Sequence, residues 1–310
     1  MICSIIDIGS NTIRLSVYQL QEGTIIPLLH KKTMAGLASY IQDGCMSEEG
    51  IHTAIRVLNQ YRSLLEHLSI QQVSVFATAS LREISNTIQA VKMIQKETGF
   101  LIDVISGKRE AILDFLGATH ILDMKEGILV DIGGGSTELV SYQNASILQA
   151  SSMEVGSLGL FTQFVGKLFP TKKEQKKIRD YVKKQLDKQK DFRDSQFPAL
   201  CGVGGTIRAT LKLNNSFFQQ PDENKSIPAK NVKKLLKQLS QMEPEVLRKV
   251  LKVIPDRIHT IIPGMIVLQT MIKHFGCEEI QVSPYGVREG YLYQKILKEG
   301  RMDSSNTKPI

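Results

Sequence analysis

Two rhythms of apolar residues alternate along the chain. Residues 2–9, "ICSIIDIG", run almost continuously apolar into one acid and predict a buried strand. Residues 12–20 alternate, with Ile13, Leu15 and Val17 on one face and Thr12, Arg14 and Ser16 on the other. That period of two predicts a second strand, and the short loop between the pair predicts an antiparallel hairpin. The spacing changes to three and four over 47–68, where Ser47 is the expected N-cap and Glu48 and Glu49 occupy the first turn of a helix. A strand at 72–78, a helix at 86–98, a strand at 100–106 and a helix at 109–122 come next.

The pattern then restarts. Residues 127–142, "GILVDIGGGSTELVSY", repeat the layout of the N-terminus: apolar strand, Asp-Ile-Gly, a loop of glycines and hydroxyls, second strand. A basic helix begins at 172, and "FPALCGVGGTIRATLKL" at 197–213 reads as strand, glycine loop and helix. The polar, proline-bearing stretch 216–229 predicts a loop. Helices are expected at 229–242, 243–253 and 263–276, and a strand, a turn and a closing helix at 279–297. The tail 301–310 reads as polar and loose. Strands alternating with helices, twice over, predict an α/β protein in which one fold is used twice.

Length agrees, since 310 residues suffice for two domains of about 150 each. Hydrophobic content of 42% supports a sizeable core, and no apolar run reaches the roughly 20 residues needed to span a bilayer. The start of the chain lacks the basic segment and small-residue cleavage site of a signal peptide, so the expectation is a cytoplasmic protein without a membrane role. Cys3, Cys45, Cys201 and Cys277 are scattered, which predicts reduced thiols. Charge sharpens the division. Residues 1–122 carry a net −1 and residues 123–310 a net +9, densest in "KKEQKKIRDYVKKQLDKQKDFR" at 172–193. Such a surface attracts polyanions, or is simply a solvated helix face. No stacking-aromatic or zinc-finger pattern accompanies the charge, so no specific nucleic acid is expected.

The loops hold the candidate chemistry. Glycine lets a phosphate oxygen approach main-chain N–H groups, and successive amides form an anion cradle. "DIGSN" and "DIGGGST" share that composition, and each sets an aspartate at the end of a buried strand, where it can hold a magnesium ion or its waters. "CGVGGTIRA" adds a third glycine loop ahead of a helix. None has the Gly-Lys-Ser/Thr ending of a Walker loop or a complete dinucleotide fingerprint.

Taken in order, "IIDIGSNTIRL", "ATASLRE", "ISGKREA", "LVDIGGGSTELV", "GVGGT", "PGMIVL" and "SPYGVREG" resemble the exopolyphosphatase / guanosine pentaphosphate phosphohydrolase family, short two-domain type. The likeness extends from about residue 2 to 298. It implies two actin-like, ribonuclease H-like domains with a cleft between them. The first would be 1–122, the second 123–291, with a closing helix at about 292–310 packing back on the first. It implies a catalytic glutamate at Glu110, and Asp7, Asp131 and Glu138 as acids for Mg²⁺, with Mn²⁺ as an alternative. It sets Ser10, Asn11, Arg82 and the amides of Gly133, Gly134, Gly135, Ser136 and Thr137 against phosphate. Gly204, Gly205 and Thr206 stand where superfamily kinases hold adenosine, and here either bind phosphate or shape the domain. Arg288 and Glu289 are assigned to structure. A homodimer is a family-level expectation.

The implied reaction is Mg²⁺-dependent release of orthophosphate from the ends of inorganic polyphosphate. Hydrolysis of guanosine pentaphosphate, which would connect the chain to the stringent response, is the alternative, since the motifs do not separate the two. A superfamily kinase and a non-catalytic phosphate sensor are readings from other classes. Two departures from the family pattern imply weaker phosphate binding or a shifted substrate preference: Met34 and Ala35 stand where an arginine precedes Gly-x-Gly-Leu, and Gly159 lies near a second usual arginine. A third, Arg109 in place of a frequent acid beside Glu110, alters local charge.

Overall fold

The computed structural model describes residues 1–21, 24–122, 125–193, 195–241 and 243–304. The chain begins with β1 (Ile2–Ile8), β2 (Thr12–Gln21) and β3 (Thr24–Met34), then a two-stranded ribbon of β4 (Ile41–Gln42) and β5 (Cys45–Met46). Next come α1 (Glu48–His67), β6 (Val73–Ala77), α2 (Ala79–Arg82), α3 (Thr87–Thr98), β7 (Ile102–Val104) and α4 (Gly107–Thr119). A second series begins with β8 (Glu126–Ile132), β9 (Thr137–Gln143), β10 (Ser146–Met153), α5 (Ser157–Phe164), α6 (Lys172–Leu186), β11 (Ala199–Val203) and α7 (Gly204–Phe217). It ends with β12 (Ser226–Pro228), α8 (Ala229–Gln241), α9 (Pro244–Val253), α10 (Ile261–Phe275) and β13 (Glu279–Val282), before α11 (Val287–Ser304).

Contacts divide the chain into two compact units: Met1–Ile121 with the chain from Tyr285 onward, and Leu122–Pro284. The second crossing therefore falls at 284/285 rather than at 291, because α11 already begins at Val287. The expected loose tail is helical as far as Ser304, and its last residues lie outside the described ones.

In the first unit the sheet order is β3-β2-β1-β6-β7. β1 and β2 form the expected hairpin, registered from Ile2 opposite Gln19 to Ile8 opposite Ile13, and β6 and β7 run parallel to β1. One face buries Ile6, Leu15 and Val75 under Leu58, Tyr61 and Ile94 of α1 and α3. The other buries Ile5, Tyr18 and Phe76 under Leu113 of α4 and Tyr291 and Leu292 of α11. The α4–α11 crossing needs its glycines. A Cβ on Gly117 would lie 2.2 Å from the Gly286 carbonyl oxygen, and one on Gly290 would lie 1.8 Å from that of Leu113.

In the second unit the order is β10-β9-β8-β11-β13-β12. Its first five strands repeat the topology of the first sheet: a three-stranded antiparallel meander, then two parallel strands. Apolar side chains of β8, β11, α6, α7, α8 and α10 form its core. The stretch 216–229, expected as a loop, contributes β12, which pairs antiparallel with β13 at the sheet edge. Among the described residues no helix is long and apolar enough to cross a membrane.

Candidate functional site

Ligands of open α/β sheets bind beyond the carboxyl ends of the parallel strands. The candidate residues of both units lie there. In the first unit, Asp7 is the penultimate residue of β1, α2 comes directly after β6, and Glu110 opens α4 after β7. The Ser106 hydroxyl caps α4, accepting from the Arg109 N–H at 3.2 Å, so Glu110 lies in the first turn, where the helix dipole favours an anion. Glu110 is 8% exposed, and its Oε2 accepts a 2.7 Å hydrogen bond from an Arg82 Nη. Arg82 also donates to Glu83 at 2.5 Å and to the Ile105 carbonyl at 3.3 Å. Burial strips the Glu110 carboxylate of solvent, and the guanidinium compensates its charge.

The loop after β1 is a tight turn in which the Gly9 N–H donates to the Thr12 carbonyl at 3.1 Å. Its carbonyls point the other way. Asn11 O accepts from the amides of Ala35 and Gly36, and Ser10 O accepts from Ala38. The amides of Ser10 and Asn11 donate to nothing among the described residues, although both residues are buried.

The second unit repeats this plan. The Gly133 N–H donates to Ser136 O at 2.9 Å. Gly133 O accepts from the Ser157 N–H, and Gly134 O accepts from Leu158 and Gly159, all at the N-terminus of α5. The amides of Gly134, Gly135 and Ser136 have no acceptor among the described residues. That is a nest of three consecutive donors, the arrangement that binds phosphate oxygens. The Gly133 amide closes the turn and is spent within the loop, and the Thr137 hydroxyl is fully buried and donates to Val155 O.

Asp131 of β8 and Glu138 of β9 are direct cross-strand partners, so both carboxylates lie on one face. Glu138 Oε1 accepts from the Ser152 hydroxyl at 2.8 Å. No group of three or more metal-ligating side chains occurs among the described residues. A carboxylate pair still suits Mg²⁺, which keeps several waters and takes one or two carboxylates plus substrate phosphates.

The third glycine loop touches this pair. Gly204 has φ +82°, and a Cβ there would lie 1.8 Å from Asp131 Oδ1. The Thr206 hydroxyl makes a long 3.5 Å contact to Ser157 Oγ, which in turn donates to Gly133 O. Thr206 thus braces the second glycine loop. Sequence reasoning missed Arg257. Its guanidinium lies over Gly205, where a Cβ would come within 2.0 Å of Nη2, and it presents a cation at the N-terminus of α7. Beside it, burial and the Arg257 charge hold the His259 imidazole below its ordinary pKa, and its ring meets Phe161 edge-on at 5.2 Å. Nothing in "PDRIHT" marked Arg257, because a single loop cation has no periodicity to betray it.

The three departures also have places. Arg109 turns to Asp103, contacting both carboxylate oxygens at 3.2 and 2.9 Å, and donates to Gln294 at 3.3 Å. Met34 is exposed at the end of β3, and Gly159 lies in the first turn of α5 against the Gly134 carbonyl. Arg288 donates to Ser16 Oγ at 2.7 Å. Buried Glu289 accepts from the Tyr18 hydroxyl and from the Gly286 amide, and so caps α11.

The sequence pattern of the Ppx/GppA phosphatase family matches residues 16–299. A bifunctional 3-dehydroquinate synthase/phosphatase of Fusobacterium nucleatum is 29% identical over 293 residues; the alignment covers 90% of this chain and 44% of that longer protein. Exopolyphosphatase 1 of Mycobacterium tuberculosis is 23% identical, with 95% of this chain and 88% of that protein covered. Among solved structures, the Ppx/GppA family member of Aquifex aeolicus is 26% identical, with a TM-score of 0.78 over 96% of this chain and 98% of that one. An exopolyphosphatase of Cytophaga hutchinsonii shares the fold at a TM-score of 0.83 and 24% identity, over 95% and 97% of the two chains.

Proposed function

The chain belongs to the Ppx/GppA phosphatase family, a family of phosphoanhydride hydrolases, and from that premise we propose that it acts in the cytoplasm as an exopolyphosphatase, releasing orthophosphate from the ends of inorganic polyphosphate. The observation that carries this reading is the buried Glu110 carboxylate, held 2.7 Å from Arg82 at the start of α4. A carboxylate so placed can take the proton of an attacking water, a contribution of about 10²–10⁴ in rate. Arg82, linked to Glu110, supplies a cation for the phosphoryl group. The amides of Ser10, Asn11, Gly134, Gly135 and Ser136 receive phosphate oxygens, and Arg257 adds charge at Gly205. Phosphoryl transfer depends mostly on such positioning and charge neutralisation. Asp131 and Glu138 would hold Mg²⁺, with Mn²⁺ as a substitute, and Asp7 is the matching acid of the first loop. The metal would neutralise charge developing on the phosphate oxygens.

The test is phosphate release from long-chain polyphosphate, tripolyphosphate and guanosine pentaphosphate, with and without Mg²⁺. Release from polyphosphate only when Mg²⁺ is present is expected. Release from guanosine pentaphosphate alone would move the substrate to the alarmone, and release from none would leave a phosphate-binding sensor.

A further inference from the structure

The second unit carries a cavity that this mechanism does not use. It lies between α6 and α10, has a volume of about 330 Å³, and is lined by Arg179, Lys183, Asp187, Gln269, Thr270, Lys273 and His274 together with Leu186. Arg179 and Lys183 are one helical turn apart on α6, and Lys273 faces them from α10. None of the three makes an ion pair among the described residues, and Asp187 is the one acid in the lining. Gln269 is 8% exposed and makes no hydrogen bond among the described residues, so its amide group borders the cavity with its donors unspent. The His274 Nε2 faces the Phe192 carbonyl at 2.9 Å, which can only accept, so that nitrogen carries the proton and the ring is anchored. The walls are firm as well: α6 starts with a complete capping box between Thr171 and Glu174.

The site is separate from the glycine loops. Gly264, in the first turn of α10, packs on Thr206 and Ser157. Lys273 lies nine residues further along, about 13 Å of helix axis and about half a turn round. Cations that converge on a small cavity around an unpartnered amide donor suit a compact anion with closely spaced oxygens. The lining contains no Phe, Tyr or Trp on which a base could stack, which favours a polyanion without bases over nucleic acid.

We propose that the α6–α10 cavity is a second, non-catalytic phosphate-chain site that holds a distal stretch of polyphosphate. The inference rests on the exopolyphosphatase reading for its ligand. A chain held here and at its terminus gains from effective concentration, whereas a chain too short to reach both gains nothing. The site therefore makes binding depend on chain length.

The test compares the full chain with its Arg179→Ala/Lys183→Ala/Lys273→Ala variant, and separately with Gln269→Leu. Equilibrium binding of long-chain polyphosphate is measured without divalent metal, so that nothing is hydrolysed. Tripolyphosphate turnover is measured with Mg²⁺. The triple variant is expected to bind long chains about tenfold more weakly or worse, while its kcat and KM for tripolyphosphate stay at the wild-type values. Gln269→Leu is expected to weaken long-chain binding in the same direction. Unchanged long-chain binding in the triple variant would overturn the proposal. So would an equal loss of tripolyphosphate turnover, or single-stranded RNA bound by the wild type as tightly as polyphosphate and lost in the variant. A wild type that releases no phosphate from any substrate would sink the hydrolase reading, and the binding comparison would still decide the cavity.

Discussion

Arg109 and Glu110 are neighbours in the chain with opposite duties. Arg109 fixes the start of α4 to Asp103, which also accepts from the Tyr291 hydroxyl at 3.0 Å, whereas Glu110 turns to Arg82. Glu110→Gln keeps the shape and removes the proposed base. It is expected to lower kcat by about 10²–10⁴ with the melting temperature nearly unchanged. Arg109→Ala removes a half-exposed ion pair, expected to cost about 1 kcal/mol or less, and leaves kcat within a few-fold of wild type. Stopped phosphate-release assays beside thermal melts read both, and a reversed pattern would exchange their roles. Legibility at this scale followed chemistry. Glu110, Asp131 and the glycine loops stood out as candidates because their residue types recur in short motifs. Arg257 did not, since its value comes from a loop folding over Gly205. Nor could the Gly133 amide be subtracted from the cradle, because a turn hydrogen bond leaves no trace in composition.

Among the elements, the cap of α1 was legible at Ser47, whereas Ser106 reads in the sequence as the last residue of a strand. Ser47 caps α1 by accepting from the Gly50 N–H at 3.3 Å, and Ser106 caps α4 by accepting from Arg109. The two serines do equal structural work with unequal expected consequences, because only α4 carries the proposed base, Glu110, in its first turn. Ser47→Ala and Ser106→Ala are each expected to cost about 1 kcal/mol, measured by chemical denaturation. Only Ser106→Ala should also reduce kcat, since a frayed first turn lets Glu110 wander from Arg82. Equal kcat values in both variants would detach the cap from catalysis. Strands at sheet edges were the least legible. β3 buries Ile25 alone, and the consecutive His30, Lys31 and Lys32 are all exposed, so no alternation betrays it. β12 is three residues long and ends in Pro228, a residue tolerated at an edge. Edge strands need only one buried face and one partner, and the hydrophobic pattern thins accordingly.

For the molecule as a whole, the internal repeat was the readable feature, because each copy had to keep a buried strand, a glycine turn and an answering strand. The two sheets confirm it in strand order. Each turn closes through the amide of its first glycine, Gly9 or Gly133, and directs carbonyls toward a later segment of its own unit. The units nevertheless differ in how the chain builds them. The second is one continuous segment, Leu122–Pro284, with its own core. The first draws on both ends of the chain. Tyr291, Leu292 and Tyr293 of α11 complete the core with Ile5, Tyr18 and Phe76, and Tyr291 stacks on Phe76 at 5.0 Å. The glycine-lined α4–α11 crossing then leaves backbone against backbone, so no other helix of ordinary sequence can stand in for α11. A fragment of residues 122–284 should therefore fold alone, with a cooperative thermal transition monitored by circular dichroism. A fragment of residues 1–121 should not, because removing α11 bares large aromatic surface, and each such side chain contributes roughly 1.5–3 kcal/mol through burial. Adding a peptide of residues 285–304 to that fragment should restore the transition in a concentration-dependent way. Cooperative unfolding of 1–121 without the peptide would show that α11 decorates the first unit instead of completing it.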